Sequence, residues 1–347
     1  MLLTLALFLT IFFLMLLALD AFFKSTPYGT KAFENKQPTK RDLQGLLRFL
    51  GNRQIGFWRP HTPNAFYSPP PERVYAGVRI TFINHATLLI QMDGINILTD
   101  PVWSDRASPF SFVGPKRARK AGLELDQLPM IDVVLISHNH YDHLDLDTLH
   151  KLKTSFNPLI LMGTGNQRFL RKNGFVHAED LGWWGSHPHP QGIKITAVPA
   201  QHFSGRSLSD YNKTLWVGFV IEGVSGSVYF AGDTGMGPHF AEIRERFQKI
   251  DVALLPIGAF KPEWFMSPMH ISPKEAVEAA DLLGAKISIP IHYGTFRLAD
   301  DGQDEPLSEL KQALDTYGKP LNFRVLDHGE AMMHYAGDSN ARNETLH

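Results

Sequence analysis

The sequence predicts an α/β sandwich with its helices on the outside, preceded by a membrane segment at the N-terminus. Three observations carry this. Short apolar and β-branched runs crowd the early part of the chain and then alternate with helical periodicity, which suits a sandwich better than a doubly wound sheet. Several of those runs end in histidine or aspartate, as strands do when they throw metal donors into a loop at a sheet edge. The first 23 residues are apolar almost without interruption.

Residues 1–19 carry no charged side chain, Asp20 interrupts, and Ala21-Phe22-Phe23 resumes the run, a length just sufficient to span a bilayer. No basic residue precedes it and Ala18-Leu19-Asp20-Ala21 is a poor cleavage site. An uncleaved anchor over 1–23 is therefore expected ahead of a cleaved signal peptide, which would make the protein periplasmic or secreted. Lys24, Lys31, Lys36, Lys40 and Arg41 follow the run and place the catalytic part in the cytoplasm. Residues 24–74 are proline- and aromatic-rich, an arm expected to pack across the sandwich with one short helix at 40–50. The large domain takes 75–336 and a polar tail 337–347.

Within the domain, strands are expected at 79–83, 87–92, 95–98, 133–136, 159–162, 193–198, 215–221, 228–231, 252–256, 287–290 and 323–326. Helices are expected at 145–153, 165–173, 240–247, 273–283 and 309–317. Ser272-Pro273 supplies an N-cap and a first-turn proline.

Composition narrows the function. Lysine plus arginine number 34 against 35 aspartate plus glutamate, which argues against a nucleic-acid binder. There is no cysteine, so disulfides and thiolate ligation are excluded. A 44% hydrophobic content supports a real core.

The richest segment is Ser137-His138-Asn139-His140-Tyr141-Asp142-His143, directly after the buried-strand run Val133-Val134-Leu135-Ile136. Imidazoles and a carboxylate so placed can converge on a divalent metal. His202, Asp233 and His292 follow further strand-like runs, and Gly232 would let the backbone come close to a metal. Together these make five histidines and two aspartates, a set suited to two metals sharing one carboxylate.

That pattern, His-x-His-x-Asp-His, then His202, Asp233 in Ala-Gly-Asp-Thr-Gly, and His292, resembles the metallo-β-lactamase superfamily. Leu98-Thr99-Asp100-Pro101, Gly114-Pro115-Lys116-Arg117, Asn212-Lys213-x-Leu215-Trp216, Pro256-Ile257-Gly258-Ala259, Trp264-Phe265-Met266 and His292-x-Gly294-Thr295-Phe296 resemble one branch of it. That branch is the phospholipase D that hydrolyses N-acylphosphatidylethanolamine, with its bacterial relatives, and the similarity runs from about Arg79 to about Glu330. The resemblance implies a four-layer αβ/βα sandwich with metals between the inner edges of two sheets. It implies one metal on His138, His140 and His202, another on Asp142, His143 and His292, and Asp233 bridging.

Zinc suits the nitrogen and oxygen donors best, and manganese and iron(II) also fit them. Asp142 and Asp233 would then be catalytic, with His270 orienting the phosphate or protonating the leaving alkoxide. Asp100 is expected to fix the tautomer of a ligand histidine, and His85 to be structural. Asn84 stands where the family usually has glycine.

The expected partners are a phospholipid substrate and the membrane, with a homodimer compatible and no nucleic acid. Lys116, Arg117 and Arg119 form a basic patch suited to anionic head groups. The aromatic arm, Trp183-Trp184 and residues 260–266 could line an acyl groove or pack as core. The rival functions are a lactonase or β-lactamase-like hydrolase on the same fold, and a non-enzymatic membrane-tethered binding protein.

Overall fold

A computed structural model describes residues 32–39, 43–59, 64–65, 67–207 and 209–335. The early runs become three antiparallel strands, β1 (Val78–Asn84), β2 (Thr87–Met92) and β3 (Ile95–Thr99). Parallel strands β4 (Val133–Ile136), β5 (Leu159–Gly163) and β6 (Ala178–Leu181) extend that sheet. Its far edge is the last strand of the chain, so its order is β13-β1-β2-β3-β4-β5-β6, where β13 is Ala331–His334. The second sheet holds β7 (Ser186–Pro188), β8 (Lys194–Val198), β9 (Gly218–Gly223), β10 (Gly226–Phe230), β11 (Val252–Pro256) and β12 (Ile287–Ile291) in the order β12-β11-β10-β9-β8-β7.

The period of two along each strand sorts residues between layers. Val78, Ile80 and Phe82 of β1 and Leu88 and Ile90 of β2 join Val220, Tyr229 and Leu254 of the second sheet in one core. Their alternates Ile83 and Leu89, with Val134 and Ile136, belong to a second core with Leu149, Leu152 and Leu170 of the helices Leu146–Ser155 and Gln167–Lys172. Each such side chain, fully buried, contributes about 1.5–3 kcal/mol. Helices His239–Phe247, Pro273–Leu283 and Glu305–Thr316 pack together beside β11, completing four layers. Ser272 accepts from the Glu275 backbone N–H and Glu275 returns the bond, so the expected helix start is a full capping box.

The three strands not anticipated, β6, β7 and β13, are all sheet edges. Ala-Glu-Asp-Leu and Ser-His-Pro bury little, and their pairing is set by the neighbouring strand rather than by apolar alternation. The strand expected at 323–326 is a single bridge between Phe323 and Ser288.

One expectation is corrected. The helix placed at 1–23 lies outside the described residues, as does the tail at 337–347. Among the described residues the longest helix, Glu305–Thr316, has 12 residues, and none is long and apolar enough to cross a membrane. A span takes about 20 residues. The N-terminal anchor, and the cytoplasmic placement drawn from it, therefore has no structural support and is withdrawn.

The described parts of the arm bond to the sandwich: Trp58 Nε1 donates to Asp301 O (2.8 Å), and Asn96 Nδ2 donates to Glu72 O (2.9 Å). The arm's helix spans Leu43–Gly51, with 40–42 outside the described residues.

Candidate metal centre

Six strand ends meet at one edge of the sandwich. From the first sheet, β1 leads to His85, β3 to Asp100 and β4 to residues 137–143. From the second, β8 leads to His202, β10 to Asp233 and β12 to His292. The loops are tied to each other, with His292 N donating to His85 O (2.7 Å) and His85 N to Thr295 Oγ1 (3.0 Å). His85, Asp100 and His292 hold positive φ (47°, 31° and 62°), a conformation that costs energy for a non-glycine residue and that clusters at functional sites.

Gly232, also at positive φ, permits a close approach of the chain: a Cβ there would lie 2.4 Å from Ser137 Cβ. It lets β10 close against the Ser137 segment, and so sets the distance between the two sheets' donors.

The structure brings together all eight residues expected at the site. His138, His140 and His202 form one group, with His138 Nε2 2.7 Å and His202 Nε2 3.3 Å from His140 Nδ1. Asp142, His143 and His292 form a second, with His85 added to it. Oδ2 of Asp233 lies between them, 3.1 Å from His292 Nε2, 3.2 Å from His143 Nε2, 3.9 Å from His202 Nε2 and 3.7 Å from His270 Nδ1.

The tautomers follow from the acceptors behind each ring. His143 Nδ1 donates to Asp100 Oδ2 (2.6 Å), the bond expected of Asp100. Ser137 Oγ donates to the same oxygen (2.6 Å), so its lone pairs remain to accept from His138 Nδ1 (2.9 Å). His202 Nδ1 donates to Met269 O (2.9 Å). With Nδ1 of His143, His138 and His202 each engaged from behind, Nε2 of each ring faces inward, as in metal-ligating imidazoles. His143 Nε2 and Asp233 Oδ1 are buried without a hydrogen-bond partner, which a metal would relieve. The donor set therefore fits divalent cations.

Charge is arranged to match. Burial, reinforced by the neighbouring imidazoles, pushes His138 and His202 well below the usual histidine range, keeping them neutral. Burial opposes ionisation of Asp142 and Asp233, yet the surrounding histidines hold both well below the carboxylate range. Burial likewise opposes a charge on His292, but Asp233 and Asp142 outweigh it and raise that ring to about 9. The carboxylates demand positive charge at this point.

His85 is the residue that sequence reasoning misplaced. It is buried, its Nε2 lies 3.0 Å from Asp142 Oδ2, and its ring packs 4.0 Å from that of His292. Its place at a strand end was the available signal. Asn84 adapts the turn before it: its side chain donates to Val102 O (3.2 Å) and accepts from Arg117 Nη1 (3.1 Å). Asn35 of the arm, also unforeseen, exchanges hydrogen bonds with the backbone of His202 (2.7 and 3.0 Å).

Among the other candidates, Trp183 donates to Trp216 O (2.9 Å) and packs on the core, and Phe265 stacks on Phe49. Arg119 is engaged by Asp327 and Asn64.

Comparison with known proteins agrees with the fold. The family model for the beta-lactamase superfamily domain matches residues 95–293. An N-acyl-phosphatidylethanolamine-hydrolyzing phospholipase D of Caenorhabditis elegans is 39% identical over 74% of this chain and 75% of its own. A metal-dependent hydrolase of Methanopyrus kandleri is 32% identical over 73% of this chain and 99% of its own. Among solved structures, a metallo hydrolase from Ignicoccus hospitalis superposes with a TM-score of 0.56 at 25% identity, covering 74% of this chain and 98% of that one.

Proposed function

This chain belongs to the metallo-β-lactamase superfamily and is a metal-dependent hydrolase, and on that premise we propose that it is a zinc phosphodiesterase of the phospholipase D type. Its substrate is N-acylphosphatidylethanolamine. Water cleaves the bond between phosphorus and the ethanolamine oxygen, releasing N-acylethanolamine and phosphatidic acid. The observation that carries the reading is the meeting of two donor groups at one oxygen, Oδ2 of Asp233. Two cations suit a phosphodiester because charge develops on both its attacking and leaving oxygens. The lipid class is supported by the similarity to the nematode enzyme.

His138, His140 and His202 would hold one cation and Asp142, His143 and His292 the other, with Asp233 shared. When bound, the pair supplies Lewis-acid stabilisation of the phosphoryl oxygens and acidifies water. The chain's own contributions are orientation and proton handling. Asp100 holds His143 directly and His138 through Ser137, so one buried carboxyl orients a donor in each group. His270, 3.7 Å from Asp233, would hand a proton to the departing alkoxide.

The test is hydrolysis of N-acylphosphatidylethanolamine vesicles by the zinc-loaded protein, beside a soluble phosphodiester and a lactone, with Asp142→Asn as control. Release of N-acylethanolamine, lost in the variant, supports the reading. Turnover of the lactone alone moves the function to another ester class.

A further inference from the structure

A cavity of about 600 Å³ opens beside the donor cluster, and none of the cluster's side chains line it. Among the described residues its wall carries six cations, Arg53, Arg59, Arg106, Lys116, Arg117 and Arg297, and no aspartate or glutamate. Two are neutralised from behind, Arg53 by Asp300 and Arg59 by Asp304. The other four have no carboxylate partner among the described residues. Arg106 bonds the backbone carbonyls of Ser111 (3.1 Å) and Gly114 (2.6 Å). Arg117 bonds those of Ser104 (3.2 Å) and Val102 (2.9 Å), with Asn84 Oδ1 completing its contacts. Lys116 and Arg297 stand exposed at the wall.

Four like charges around one hollow repel unless an anion sits among them. Backbone bonds hold Arg106 and Arg117 in fixed positions, so little side-chain entropy is lost when the anion arrives. Burial lowers Arg117 to about 10, against the more distant pull of Asp145, Asp105 and Glu124.

We infer that this cavity is a second anion site, separate from the donor cluster, that takes the phosphate of a phosphomonoester. A doubly charged phosphate group matches this surplus better than a single carboxylate, and arginine forks suit its oxygens. The volume is that of a small-molecule site. The position couples it to the cluster through one ring: Arg117 lies over Phe296 (4.8 Å), Phe296 meets His85 edge-on (5.4 Å), and His85 bonds Asp142. Exposed apolar residues flank the wall, among them Phe57 (77% exposed) beside Trp58 and Phe112 (78%) near Gly114. A ligand with an apolar tail would find contacts there, so a lipid source and a soluble source are tested separately.

The experiment titrates the metal-loaded protein with glycerol 3-phosphate by calorimetry. In parallel the protein is sedimented with phosphatidylcholine vesicles with and without phosphatidic acid. Neither phosphomonoester is a diester, so binding is read without turnover, and its failure is distinct from failure of the phospholipase reading. Binding is expected in at least one arm. The pair Lys116→Gln and Arg297→Gln should weaken it about tenfold or more with metal content intact, and Arg297→Lys should keep most of it. Binding to phosphatidic acid vesicles alone identifies a lipid headgroup as the ligand, and binding in both arms a phosphomonoester of either kind. No binding in either arm, or equal affinity in wild type and the double variant, overturns the inference. So does loss of affinity together with metal, since the phosphate would then sit on the cluster.

Discussion

In one half of the cluster, His138, His140 and His202 offer three imidazoles and no carboxylate of their own. In the other, His143 and His292 stand beside Asp142, with His85 against that carboxylate and Asp100 behind His143. Burial keeps His138 and His202 neutral, whereas His143, equally buried, is held well above the histidine range by Asp233, Asp142 and Asp100. Donor number is similar in the two halves, so the difference lies in charge. The carboxylate half attracts a cation by itself, while the imidazole half relies on Asp233.

The largest test of that contrast is Asp233→Asn. It should leave the imidazole half without any anionic donor and lower activity by about 10³-fold or more. Elemental analysis should show the metal content falling from two per chain toward one, retained by the carboxylate half. A content that stays at two would mean that Asp233 is not needed by either half.

Chelation comes next. Stripping both metals leaves buried donors uncompensated, and the melting temperature should drop on the order of 5 °C or more by calorimetry. An unchanged transition would mean that the cluster is satisfied without cations.

Asp100→Asn should weaken metal binding about 10–100-fold. Competition with a chromophoric chelator should show the deficit mainly in the carboxylate half, where the contact to His143 is direct, and less in the imidazole half, reached through Ser137. Equal losses would dissolve the asymmetry. His85→Gln keeps a group able to donate to Asp142, so a loss of only about three- to tenfold in kcat is expected.

The smallest effect separates the fold from the site. Burial raises Asp251, but Lys286, the Ser227 N–H and Lys249 outweigh it and hold it at about 2. A depressed folded-state value means that this stabilisation is complete above the usual carboxylate range and is lost as pH falls toward 2. Asp251→Asn should flatten that acid limb in urea titrations while the gap between loaded and chelated protein persists. A gap that vanishes with it would tie the two together.

Much of this was legible in the chain. The core strands announce themselves because a strand buried on both faces must be apolar throughout, as Val133-Val134-Leu135-Ile136 is. Their donors announce themselves because polar residues directly after such a run have little use in packing. Asp100 could be read from its place after β3. The edges β6, β7 and β13 could not, since their partners and not their periodicity define them. His85 showed only its place at a strand end, and its role waited on the packing of His292 against it.

By itself, then, the sequence determined the layers of the sandwich and the types of donor available, because alternation and residue chemistry are local properties. Only the tertiary structure decided which donors share Asp233, that Asn35 braces His202, and that four cations without a carboxylate partner among the described residues line one cavity. Those are distances between residues far apart in the chain, and they exist only once two sheets have closed on one core.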